Sequence, residues 1–288
     1  MEEPGTTPPT RVRTERFFRH LQTIAVLIAM AGLFVVTAVL LFGGTGLAIL
    51  VAMGFVLLLF VGRQEVQVDT SQVKPLKPED HSALHSILDE LSDKAGIPAK
   101  PEPYILPVEQ MNAATMGKEG QPILAVTRPM LTELSDRELR AILAHEIAHI
   151  EEHDRSCYRL VTMLQVLTMT VARIGWFALI LLWPMAALGG WYIPPYAIGL
   201  LLGAPVLSVL LQAALSRSRE YSADLGAVEL TNDPEGLAMA LERIDKRQEQ
   251  LWRQVLPIPQ QRRRKRSILR THPAQEQRVQ KLKELARS

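Results

Sequence analysis

The chain has a single cysteine, Cys157, among 288 residues, so no intramolecular disulfide can brace its fold. One thiol suits a reducing compartment, and Cys157 reads as a small packing residue rather than a ligand. An excess of one charge is also missing. The 32 Lys and Arg nearly balance the 30 Asp and Glu, and a net charge of +2 does not mark a nucleic-acid binder. No internal repeat is visible. In two long stretches, Leu21 to Gly62 and Ile174 to Ser216, there is no Asp, Glu, Lys, Arg or His at all.

Each uncharged stretch is long enough for two membrane spans of about 20 residues. Gly43-Gly44-Thr45-Gly46 supplies the turn in the first. Pro184, Gly189, Gly190, Pro194 and Pro195 interrupt the second, where Trp183, Trp191, Tyr192 and Tyr196 fit an aromatic belt at the membrane interface. The third span begins before Arg173, at a point the charge pattern leaves open. A cleavable signal peptide is excluded, because its apolar core would be only about 7–15 residues. Arg11, Arg13, Arg16 and Arg19 precede the first span, Arg63, Lys74 and Lys77 follow the second, and Arg217 and Arg219 follow the fourth. Positive charge stays inside. The expectation is four spans in two hairpins, with both termini and all charged segments in the cytosol.

The chemistry is concentrated in His145-Glu146-Ile147-Ala148-His149. Residues four apart share a helix face, about 6 Å apart at Cβ. Two imidazoles so placed can hold one zinc ion, and the Glu between them can serve as general base. Ser135 and Glu138 form a capping-box pattern that starts a helix where the motif needs one. A catalytic zinc takes three protein ligands and keeps one position open. Metzincins place a third His six residues after the second, and here that residue is Arg155. His153 lies on the motif face, but a straight helix carries it about 6 Å further along the axis. His81 and His85 have no acid after the first His and read as a solvated helix face. Further along, Glu220 and Asp224 sit one helical turn apart. One of these carboxylates can bind zinc and the other can accept the free N–H of a ligating histidine.

His145-Glu146-x-x-His149 with Asp154, then Ser216-Arg217-x-Arg219-Glu220-Tyr221-x-Ala223-Asp224, then Thr271-His272-Pro273, resembles the HtpX-type integral-membrane zinc metalloproteases. These are relatives of the CAAX prenyl-protein endopeptidases. Asn112-Ala113 and Gly117 match the same pattern, and the resemblance runs from the first apolar stretch to the His-Pro pair. It implies one zinc per chain, held by His145, His149 and Glu220, with Glu146 as catalytic acid and base. It further implies Asp224 beside a ligating histidine and His272 as a donor to the oxyanion. His153 departs from the family, which more often has a small or polar residue there.

The segments outside the membrane can be read coarsely. Residues 1–17 form a disordered basic N-terminus, 18–62 the first hairpin, 63–157 a catalytic part, 158–215 the second hairpin, and 216–288 a second catalytic part. An amphipathic helix runs from His81 to Ala95, with Leu84, Ile87, Leu88 and Leu91 on one face and Gly96 as its stop. Residues 104–108 and 123–126 read as short strands. Asn112 to Gly117 lies where an edge strand could pair with extended substrate, which makes Asn112 a substrate-binding candidate. Asp233-Pro234 opens another helix. The basic run 262–266 reads as a solvated loop near anionic headgroups.

The expected fold is thus a mainly α membrane protein with a cytoplasmic zincin-like (gluzincin) α+β domain and a small β-sheet. The expected function is a zinc endopeptidase of the cell inner membrane. It would cut misfolded or damaged membrane proteins in a stress response, with the lipid bilayer and polypeptides as its partners. Two alternatives stand beside it: a prenyl-protein processing protease, and a non-catalytic membrane scaffold stabilised by zinc. An intact Glu146 argues against the scaffold, since a structural site has no use for a general base.

Overall fold

The computed structural model describes residues 9–63, 74–118, 120–152, 154–189, 194–255 and 275–287. The chain divides into two compact units. The mixed unit comprises Met1–His20, Glu65–Asp154 and Arg217–Ser288, and the apolar unit comprises Leu21–Gln64 and Arg155–Ser216.

The apolar unit is built from long helices. Helix α1 spans Pro9–Arg63 and is broken at Gly43, whose φ of 70° and ψ of −173° lie outside the helical region. The kink falls on a glycine, the residue that tolerates that conformation without a steric cost. Helices α5 (Asp154–Gly189) and α6 (Pro195–Thr231) follow later in the chain. Among the described residues, three stretches are long and apolar enough to cross a membrane: Thr14–Ala48, Cys157–Leu181 and Pro195–Thr231. The span in α5 starts well before Arg173, as expected, and Pro184 lies inside the helix without ending it. Phe34 and Ala38 pack on Leu167 and Val171, and Met30 packs on Val161, Leu164 and Leu215. Phe177, Ile180, Leu181, Leu202, Val206 and Leu210 are exposed. So large a set of bare apolar side chains suits hydrocarbon rather than water.

The mixed unit holds a four-stranded sheet in the order β1-β2-β4-β3. Its strands are β1 (Lys74–Pro75), β2 (Glu102–Leu106), β3 (Ala113–Lys118) and β4 (Gln121–Thr127). β2 and β4 run parallel, while β3 is antiparallel to β4 and forms one edge of the sheet. The stretch singled out around Asn112–Gly117 is therefore the edge strand that was expected. Helix α2 (Ser82–Lys94) buries Leu84, Leu88 and Leu91 and stops before Gly96, which adopts φ 65°. His81 and His85 are not a solvated face. His81 Nδ1 accepts the Leu84 N–H and caps α2, and His85 Nε2 lies 2.8 Å from the Leu76 carbonyl. His81 thus serves an N–H that the helix start would otherwise leave unpaired, and His85 contacts the segment that follows β1.

After α3 (Arg128–Glu133), helix α4 (Asp136–Glu151) starts on the predicted capping box. Ser135 Oγ and N both donate to Glu138 Oε2 at 2.8 Å. Glu138 is almost wholly buried and also pairs with Arg243 at 3.0 Å, on helix α7 (Pro234–Val255). Burying a carboxylate is tolerated only when its acceptors are used, as they are here. The apolar face of α4, with Leu139, Ile142, Leu143 and Ile147, joins Leu124 and Val126 of the sheet and Leu237 and Leu241 of α7 in one core. Helix α8 (Gln275–Ala286) adds Val279 and Leu282 to the same core. Residues 9–17 form the first turns of α1 rather than a disordered segment, and Val12 packs with Leu225 and Leu285.

Candidate metal centre

Helix α4 turns His145 and His149 toward each other, with their Nε2 atoms 3.2 Å apart. Two nitrogens bound at about 2.0–2.1 Å to one tetrahedral ion lie about 3.3 Å apart, so the spacing fits a shared metal. Without a cation or a proton between them, two lone pairs at this distance repel. The third donor comes from α6, where Glu220 Oε2 is 3.7 Å from His145 Nε2. His145, His149 and Glu220 each offer a ligand atom within 4.8 Å of the others. Two imidazoles and one carboxylate form a donor set suited to zinc.

Asp224, one turn after Glu220, places Oδ1 3.1 Å from His145 Nδ1. A proton on Nδ1 donated to this carboxylate leaves Nε2 with its lone pair toward the other donors. Asp224 is 4% exposed and His145 6% exposed. Close approach of α6 to α4 depends on Gly226, where an added Cβ would lie 2.7 Å from the Ala148 Cβ.

Two residues that sequence reasoning missed complete the arrangement. Arg278, on α8, is 6% exposed. Its Nε and Nη2 donate to Asp224 Oδ2 and Oδ1 at 2.8 and 2.6 Å, and its Nη1 donates to Glu220 Oε2 at 2.8 Å. Burial alone would push the pKa of Arg278 down, but the Asp224 and Glu220 carboxylates outweigh it and hold the guanidinium above its ordinary range. The sequence did carry a signal. Arg278 sits on the same face as Val279, Leu282 and Leu285, where an arginine on an apolar stripe needs a buried partner. The other missed residue is Thr115 on β3, whose Oγ1 donates to Glu146 Oε2 at 2.9 Å. No pattern in the sequence marks it.

Asn112 is exposed just before β3, and its N–H donates to Thr127 Oγ1 at 3.1 Å. His272 and the basic run 262–266 lie outside the described residues, as does His153. Helix α4 ends at Glu151.

Comparison with known proteins sets this geometry in context. The profile of peptidase family M48 matches residues 78–286. The chain belongs to peptidase family M48. Its M48 relatives include a "Protease HtpX homolog" of Persephonella marina, 33% identical over 294 residues, covering 93% of this chain and 97% of the relative. A second "Protease HtpX homolog", of Aquifex aeolicus, is 34% identical over 229 residues, covering 73% of each chain. The crystal structure of S. mikatae Ste24p shares the fold, with a TM-score of 0.51 and 19% identity over 94% of this chain and 66% of that one. As an M48 member with long apolar helices, the chain is a metalloprotease associated with the membrane.

Proposed function

We infer that this chain is a zinc endopeptidase of the cell inner membrane that cleaves misfolded or damaged membrane proteins at the cytoplasmic face. The observation that carries the reading is the convergence of His145, His149 and Glu220 from two separate helices, with Glu146 beside them. Zinc is the metal the donor set favours, one ion per chain. When bound, it supplies a Lewis acid for the scissile carbonyl and a water more acidic than bulk water.

The residues of the chain do the rest. Glu146 accepts a proton from the attacking water and passes it to the leaving amine. Asp224 fixes the tautomer of His145, and Arg278 holds Asp224 and Glu220 in register with α8. β3, as the sheet edge, offers main-chain groups to an extended substrate, with Asn112 at its start. His272 is assigned to the oxyanion on the family resemblance. Four spans with both termini inside accord with the basic flanks and with the break at Gly43. Glu220 follows Ser216, the last residue of an uncharged stretch, by a single helical turn, which favours substrates at or in the bilayer.

The test is a comparison of two strains, one carrying the wild type and one carrying Glu146→Gln. Many membrane proteins should accumulate intact in the variant strain. Accumulation of a single prenylated or otherwise dedicated substrate would replace quality control with specific processing. Identical protein profiles in the two strains would remove the proteolytic role.

A further inference from the structure

We propose that Thr115 is a positioning residue for the general base, its hydroxyl holding one oxygen of the Glu146 carboxylate and leaving the other to take the proton. This rests on the metalloprotease reading. The Thr115 Oγ1 donates to Glu146 Oε2 at 2.9 Å and lies 3.4 Å from the Glu146 carbonyl, so the hydroxyl is seated over this turn of α4. Among the described residues, this is the hydrogen bond the Glu146 carboxylate accepts from a side chain. A carboxylate has two equivalent oxygens, and its terminal torsion has a broad minimum. A donor fixed on Oε2 sets the plane of the group and reserves Oε1 for the water.

The strand explains why this residue does it. In β3, Ala113, Thr115 and Gly117 share one face, because side chains alternate along a strand. Ala and Gly have no side-chain donor, so Thr115 alone supplies one on that face. Gly117 cannot take over, since it adopts φ 85° and an added Cβ would lie 2.5 Å from the Gln121 carbonyl. Pairing runs from Ala113 opposite Val126 to Lys118 opposite Gln121, with Thr115 opposite the fully buried Leu124. A slip of one residue would present Ala114 or Met116 to Glu146 instead. The strand proposed to align the substrate backbone therefore also aligns the base. Thr115 transfers no proton: it keeps its own while Glu146 moves one from water to the leaving amine.

The experiment compares wild type, Thr115→Val, Thr115→Ser and Glu146→Gln, purified in detergent with zinc. Thr115→Val keeps the shape and removes the donor. Its kcat on a peptide substrate should fall about tenfold to a hundredfold, the scale of a hydrogen bond to a charged group. KM, zinc content and melting temperature should stay near wild type, and Thr115→Ser should recover most of the kcat. The infrared carboxylate band lost in Glu146→Gln should shift in Thr115→Val and return in Thr115→Ser, whether or not a substrate is cleaved. An unshifted band overturns the proposal, as does a Thr115→Val kcat equal to wild type or a Thr115→Ser as slow as Thr115→Val. A wild type that cleaves no faster than Glu146→Gln refutes the protease reading instead, and the infrared comparison still decides the contact.

Discussion

Arg278 is the buried cation that faces the Asp224 and Glu220 carboxylates. It is buried against Asp224 and Glu220, and removing one partner of a buried ion pair costs about 3–5 kcal/mol. Arg278→Ala should lower the melting temperature and weaken zinc binding about 10–100-fold, the usual cost of losing a group that orients a ligand. Arg278→Lys keeps the charge but not the two-pronged contact with Asp224, so it should fall between the two. Chelator competition and thermal melts check both, and unchanged zinc affinity in Arg278→Ala would refute the role. Glu220→Ala, at a proposed ligand, should lose the metal, and His153→Ala should keep it. The reverse result would mean that the site is built from one segment of chain. The residues of the HExxH motif and the acidic pair are legible in the sequence because their chemistry is tied to helical spacing. Arg278 shows in the sequence only as an arginine on an apolar stripe, and Thr115 not at all, since each becomes functional through a contact between distant elements.

The helices and strands around the site make their own predictions. Gly226 lets α6 approach Ala148 on α4, next to the proposed ligand His149. Gly226→Ala should destabilise the protein by about 1–3 kcal/mol, the usual cost of overpacking, and loosen the metal. Adding Ala148→Gly should restore part of both; a double variant no better than the single one would contradict the steric account. At the start of α7, Asp233 accepts the Gly236 N–H at 2.9 Å and pairs with Arg137 of α4 at 2.6 Å. The hydrogen bond from Arg137 holds the Asp233 carboxyl below its ordinary value of 3.8. A folded pKa below the unfolded one gives stability that is present above the unfolded pKa and lost as pH falls through the folded one. Asp233→Asn keeps a capping oxygen but no charge. Its deficit against wild type should be constant near neutral pH and should shrink below about pH 4. A denaturation series over pH reads this, and a deficit unchanged down to about pH 2 would dismiss the ion pair. The Asp233-Pro234 helix start and the Ser135 capping box can be read from the sequence because caps are local. The cap made by His81 is as local, but histidine is not among the usual N-cap residues, and the contact of His85 with the Leu76 carbonyl reaches back nine residues.

At the scale of the whole molecule, uncharged stretches, basic flanks and glycine breaks carry the membrane reading, whereas the order of strands is visible only in the fold. Sheet order depends on non-local pairing, which two-residue periodicity does not specify. The topology has a direct test in a Cys157→Ser background. A cysteine placed at Gly44 should react with an impermeant label from outside the cell, and reaction only from the cytosolic side would overturn the arrangement. The central claim is that the chain's own residues assemble a zinc-dependent peptidase around Glu146. The most direct measurement is zinc content together with casein cleavage, for purified wild type and Glu146→Gln, before and after chelation and zinc return. The account predicts about one zinc per chain in both proteins, and cleavage by the wild type alone that is lost on chelation and regained with zinc. Cleavage by Glu146→Gln at the wild-type rate, or full activity of a metal-free wild type, would contradict it.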